Sequence, residues 1–310
     1  MPHRRAFLLR SAALVLSACG GSTAPASRAA SSASGSQAEP DRSAALAAIE
    51  KAAGGRLGAY ILNTATGQGF GWRHRERFGM CSTFKLSLAA FVLRESDAGR
   101  LSLDEVIPYT QADLLQVSPV TTANVDKGGM TIAALAEATQ LTSDNAAANL
   151  LLRRIGGPEV VTGFWRELGD AASRLDRLEP EMNLVPPGEE RDTVVPEGIA
   201  RSVTKIVTGD VLKTETRAKL QHWMARTATG ARRIRAALPP GWRGGDKTGT
   251  FIHQTVANKY NDIAVLYPPA ERPPIVVAGF YEADGSYEDI RPEDEAVLAR
   301  VGEVAVALAK

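Results

Sequence analysis

Cysteine and histidine are scarce in these 310 residues. Cys19 and Cys81 are the two cysteines, and His3, His74, His222 and His253 lie far apart, with no pair at metal-ligand spacing. That spacing argues against a zinc enzyme, and the lack of a glycine-rich nucleotide loop leaves no cofactor to expect. Surplus charge is missing too: 36 basic residues face 35 acidic ones, for a formal charge of +1, and no basic stripe points to a nucleic-acid partner. Nor is there a long apolar run. The stretch near the N-terminus is interrupted by Arg10 and is too short for a mature membrane span. The 44% of hydrophobic residues nevertheless suffices to bury a substantial core, in one large domain or two lobes.

The start of the chain reads as an address. Arg4-Arg5-Ala6-Phe7-Leu8-Leu9 resembles a twin-arginine export signal, and Leu16-Ser17-Ala18-Cys19 resembles a lipoprotein cleavage box with Cys19 as the lipidated residue. Ordinary cleavage nearby, with Cys19 discarded or unmodified, is the alternative. Either way the expected location is the periplasm or cell envelope, with a membrane contact only through a lipid on Cys19. Residues 1–19 form this signal, and residues 20–42, rich in Ala, Ser and Gly at their start, form a flexible tether reaching roughly 25 Å over about twenty residues. Without Arg4, Arg5 and Arg10, 33 basic residues remain against 35 acidic, a net −2. A lipidated Cys19 leaves Cys81 no disulfide partner, which suits a protein that folds before export, and Cys81 reads as a small buried residue.

What is present centres on Ser82-Thr83-Phe84-Lys85, followed by an apolar run at helical spacing that should end near Gly99. Residues three apart share a helix face, so Ser82 and Lys85 can bring a hydroxyl to an amine able to take its proton. Alone this spacing is weak: roughly one match per chain arises by chance, and Ser202-Val203-Thr204-Lys205 is a second, read as a solvated helix face. Ser143-Asp144-Asn145 and Lys247-Thr248-Gly249 follow, each expected by chance in about one chain in twenty. Asp144 reads as a helix N-cap rather than a chemical group.

Apolar periodicity predicts a helix over 43–53, strands over 56–63 and 68–73, helices over 131–140, 145–155 and 216–226, strands over 245–252, 262–267 and 275–281, and a closing helix over 293–308. The expected fold class is α+β: an antiparallel sheet flanked by N- and C-terminal helices, with an all-helical second lobe. Residues 43–80 and 230–310 would form the α/β lobe, 81–229 the helical one, with the site in the crevice between them.

With Arg177-Leu178-Glu179-Pro180-Glu181-Met182-Asn183 added to the three motifs, residues 43–310 resemble a class A serine β-lactamase of the β-lactamase and D,D-peptidase fold. The resemblance implies a monomer and a β-lactam substrate: penicillins, and some cephalosporins. It makes Ser82 the nucleophile, Ser143 the proton donor to the ring nitrogen, and Lys85 or Glu179 the acylation base. Glu179, with Asn183, would activate the deacylating water. Asn145, Lys247, Thr248, Gly249, Thr250 and Arg233 would bind substrate, with backbone N–H groups of Ser82 and Thr250 receiving the developing oxyanion. Arg177 and Asp192 would tie the ends of an Ω-loop, 177–192, whose Glu179–Pro180 bond is expected to be cis. A D,D-peptidase or a penicillin sensor that does not turn over is the alternative, distinguished by lacking the Glu179 signature. Three departures bear on substrate range: Val117 where an aromatic is common, a longer hairpin over 251–260, and Phe251 where carbapenem-hydrolysing relatives often place a cysteine to pair with one at Cys81.

Overall fold

The computed structural model of the chain describes residues 38–308. The expected export signal, the lipidation residue Cys19 and most of the expected tether lie outside the described residues. Helix α1 spans Ala38–Ala53, so 38–42 are helical where tether was expected. Pro40 falls in the first turn, where a missing N–H forfeits no helical hydrogen bond. Next come β1 (Arg56–Asn63), β2 (Gly69–Trp72), β3 (Phe78–Gly79), a 3-10 turn at Cys81–Thr83, and α2 (Phe84–Asp97). The middle of the chain forms β4 (Val106–Pro108), α3 (Pro119–Asn124), β5 (Gly129–Thr131), α4 (Ile132–Leu141), α5 (Asn145–Ile155), α6 (Pro158–Glu167), β6 (Thr193–Val194), α7 (Pro196–Thr208) and α8 (Thr214–Ala225). The chain closes with β7 (Arg243–Phe251), β8 (Lys259–Tyr267), β9 (Ile275–Glu282) and α9 (Pro292–Ala307).

Five strands form one antiparallel sheet in the order β2-β1-β9-β8-β7. The early β1 pairs with the late β9, so both ends of the chain build it, and β7 is left as an edge. Side chains alternate between faces with period two. Along β8, Tyr260, Ala264 and Leu266 join a core under α1 and α9, while Ile263 and Val265 join the larger helical core. Burial on both faces makes these strands read as near-continuous apolar runs.

Helix α2 is the axis of the helical layer. Every residue from Phe84 to Leu93 is buried, as a helix that is apolar nearly all round requires. Gly99, at φ +72°, ends it in the left-handed region. The middle of the chain is not wholly helical: β3 pairs with β6 and β4 with β5 in two short ribbons. Gly156 closes α5, and Pro158 then opens α6. The Ser202 end of the second Ser-x-x-Lys match is not solvated. Ser202 is buried on the apolar stripe of α7, being small enough to face inward, while exposed Lys205 donates to Leu168 O at 2.6 Å.

Candidate active site

Ser82 sits in the 3-10 turn that feeds α2, and Lys85 one turn on. Lys85 Nζ lies 2.9 Å from Ser82 Oγ, and Glu179 Oε1 lies 3.1 Å from the same hydroxyl and 3.0 Å from the amine. Lys85 and Glu179 are both buried. The amine also donates to Ser143 O at 2.8 Å and to Asn145 Oδ1. Two N–H groups are thus occupied, and the third position, proton or lone pair, faces Ser82 and Glu179. Burial pulls the Lys85 amine below its ordinary range, against the opposing pull of Glu179.

Ser143 lies in the turn between α4 and α5 at φ +62°. Its hydroxyl accepts from Lys247 Nζ at 3.0 Å and stands 3.5 Å from Lys85 Nζ, so it lies between two amines. Burial first, and then the neighbouring Lys85, pulls the Lys247 amine well below its ordinary range. Asp144 is an N-cap, accepting from Ala147 N at 2.9 Å, and it also receives Val120 N and Thr121 N at the start of α3. One buried carboxylate thereby holds two helix starts together beside the site.

Glu179 is carried on the 177–192 loop, and its bond to Pro180 is cis. Arg177 Nε meets Asp192 Oδ2 at 2.5 Å, and Asp192 Oδ1 also receives the backbone N–H groups of Asp176 and Arg177, so the loop is closed at its base. Asn149 was not foreseen. It receives Glu179 N at 3.0 Å and donates to Glu179 O at 2.8 Å. The available signal was its place one helical turn after Asn145 on α5. Asn183 Nδ2 donates to Glu179 Oε2 at 2.5 Å, and its Oδ1 is buried with no hydrogen-bond partner among the described residues.

The edge strand β7 supplies the opposite wall. The Asp246 carbonyl accepts from Gln140 and Thr227 and the Thr248 carbonyl from Lys247, so alternate residues turn their polar groups off the sheet. By the same period Thr250 presents its N–H that way. A Cβ on Gly249 would stand 2.8 Å from Met80 O and 3.1 Å from Ser82 N, so only glycine lets the strand lie against the nucleophile's backbone. Two further residues escaped sequence reading: Asn261, which donates to Gly79 O and Met80 O, and Thr229, whose hydroxyl meets that of Thr248 at 2.5 Å. Arg233 is buried. It ion-pairs with Glu295 at 3.2 Å, donates to Gly249 O and Asn261 O, and reaches Thr250 Oγ1 at 2.6 Å.

These groups line a groove of about 560 Å³ that includes Ser82, Ser143, Asn145, Glu179, Asn183, Arg233, Thr248 and Thr250. Val117 at its rim is exposed and has φ +57°, a conformation that a β-branched residue rarely adopts. The β7–β8 connection covers 252–258, and Phe251 and Ile252 also line the groove. Cys81 is free and buried, and burial pushes its thiol up to about 12.

Residues 41–308 match the family model described as the β-lactamase enzyme family. The chain is 45% identical to β-lactamase L2 of Stenotrophomonas maltophilia over 84% of its own length and 83% of that protein's. Among solved structures, an ancestral class A β-lactamase superposes with a TM-score of 0.80 at 46% identity, covering 86% of this chain and 99% of the other. A β-lactamase from Xanthomonas campestris gives 0.81 at 39% identity, with 88% and 98% covered.

Proposed function

The chain belongs to the β-lactamase enzyme family as a class A enzyme that hydrolyses β-lactams, and on that premise we propose a route through an ester on Ser82. Ser82 Oγ attacks the lactam carbonyl while its proton passes to Lys85 or Glu179, both within 3.1 Å. The Ser82 and Thr250 N–H groups receive the oxyanion, and losing one such donor costs about 2.7–4 kcal/mol. As the ring C–N bond breaks, the Ser143 hydroxyl hands its proton to the nitrogen and regains one from Lys85, 3.5 Å away, which passes on the proton that Ser82 gave up, while Lys247 holds that hydroxyl in place. Thr248, backed by Thr229 and Lys247, takes the substrate carboxylate. Arg233 acts there through Thr250, whose hydroxyl it holds.

Deacylation falls to Glu179. A water bound between its carboxylate, the unpartnered Asn183 Oδ1 and the ester would give up a proton to Glu179 as it attacks, and the Ser82 hydroxyl regains its proton as the ester breaks. The observation that carries this reading is the shared contact of Ser82, Lys85 and Glu179 in one buried triangle. Penicillins and some cephalosporins are the proposed substrates. The enzyme would work as an exported monomer in the cell envelope, anchored through lipid on Cys19, and an acyl mass on the mature N-terminus tests the anchor.

Steady-state turnover of a chromogenic cephalosporin, with and without Glu179→Ala, tests the route. Wild type is expected to turn over many times. The variant should lose roughly 10²–10⁴-fold, with an acyl adduct visible on Ser82 by mass spectrometry. A wild type that merely accumulates the adduct overturns the reading.

A further inference from the structure

A second cavity, of about 690 Å³, shares no lining residue with the catalytic groove. One wall is residues 185–190 of the Ω-loop and another is residues 255–257 of the long β7–β8 connection, with Gly79 and Lys259 also lining it. Lys259, the first residue of β8, is only 2% exposed. Its stem crosses Gly79 so closely that a Cβ there would stand 3.0 Å from Lys259 Cε and 3.1 Å from Cδ.

The amine ends 5.3 Å from the centroid of the Phe251 ring and, among the described residues, makes no hydrogen bond or ion pair. The carboxylates in the walls are already taken by arginines. Glu76 and Glu282 pair with Arg56 at 3.0 and 2.9 Å, Glu189 with Arg191 at 2.6 Å, and Glu190 lies 3.9 Å from Arg77. Lys259 is the cation left over. An ammonium carries three donors, and an aromatic face satisfies charge without offering a lone pair. The amine opens onto the cavity, so its donors are free for a ligand that brings lone pairs. Between these arginine–carboxylate pairs the walls carry an apolar patch of Val185, Pro186, Pro187, Val256 and Ala257.

We propose that this cavity binds a small organic anion, its carboxylate accepting from Lys259 and its apolar body lying against the two prolines and Val256. This goes beyond the catalytic reading and stands whether or not that reading does, since the cavity shares no lining residue with the groove and Phe251, whose ring faces Lys259, has no part in the proposed route.

The probe is 4-bromobenzoate. Soaked into crystals of the enzyme, it should place a bromine anomalous peak between 185–190 and 255–257. In solution, titration should shift the amide resonances of Gly79, Val256 and Ala257 saturably. Lys259→Met keeps the length of the stem and its packing, and should raise the titration midpoint about tenfold or more while leaving cephalosporin turnover unchanged. Val256→Trp fills the cavity from its loop and should also block binding, which guards against a Lys259 variant that fails to fold. The neutral 4-bromobenzyl alcohol should bind about tenfold more weakly than the carboxylate or worse. Bromine found only beside Ser82 and Lys247 or nowhere, variants that titrate like wild type, or equal binding of the alcohol would each overturn the proposal.

Discussion

Asn149 bonds no atom of the buried Ser82–Lys85–Glu179 triangle except through the backbone of Glu179, yet it holds both polar groups of that backbone. Removing it leaves a buried N–H and a buried carbonyl unpaired, at about 1–3 kcal/mol each. Asn149→Ala is therefore expected to destabilise the fold and, separately, to slow deacylation more than acylation. Rapid-quench measurement of the acyl-enzyme fraction at steady state should show it rising. Asn149→Asp keeps the acceptor for the Glu179 N–H and should fall between the two. A role limited to stability would lower the melting temperature and leave the acyl fraction unmoved.

Among the elements, the Ω-loop depends most on a few contacts. Its base is closed by Arg177, which is partly exposed, and Asp192, which is fully buried. Arg177→Ala strands the buried carboxylate, although the two backbone N–H groups on Asp192 Oδ1 still hold it. The expected loss is about 1–3 kcal/mol, or roughly 2–4 °C in melting temperature per kcal/mol for a chain of this size. Hydrogen exchange should accelerate within 178–191 and stay unchanged in α2, which is buried throughout Phe84–Leu93. Uniform acceleration across both would show that the pair supports the whole molecule instead.

For the molecule as a whole, the pH dependence of stability has an identifiable source under the sheet. Burial, and then the adjacent Asp246, holds the Asp262 carboxyl well above the usual carboxylate range, and burial raises Asp246 as well. The unfolded chain releases these protons at ordinary carboxylate values, whereas the folded chain keeps them to higher pH. Their contribution is complete below the unfolded pKa and is lost as pH rises through the folded one, at about 1.4 kcal/mol per pH unit per proton. Asp262→Asn keeps an acceptor for Ile234 N and cannot ionise. Its melting temperature should match wild type near pH 3 and exceed it increasingly above pH 4–5. A constant offset across that range would show that ionisation of Asp262 is not involved.

How much of this was legible in the sequence depended on the range of the interaction. Ser82 with Lys85, the Asp144 cap and the left-handed Gly99 are local patterns of helix geometry, and strands such as 56–63 and 275–282 announce themselves by apolar runs between turns. The motif Arg177 to Asn183 marked Glu179 because its neighbours, not the glutamate alone, are distinctive. Contacts between distant segments were not legible: Asn149 on Glu179, Asn261 on Gly79 and Met80, and Thr229 on Thr248 arise only once helices and strands pack. The same holds for the inward turn of Ser202 and for Lys259, whose burial without a partner comes from the approach of the Ω-loop to a long hairpin. Linear order thus determined the chemical groups and the elements that carry them, since hydrogen bonding and periodicity act over a few residues. Packing of segments up to a hundred or more positions apart decided which of those groups meet, which are stripped of water, and so which can exchange a proton.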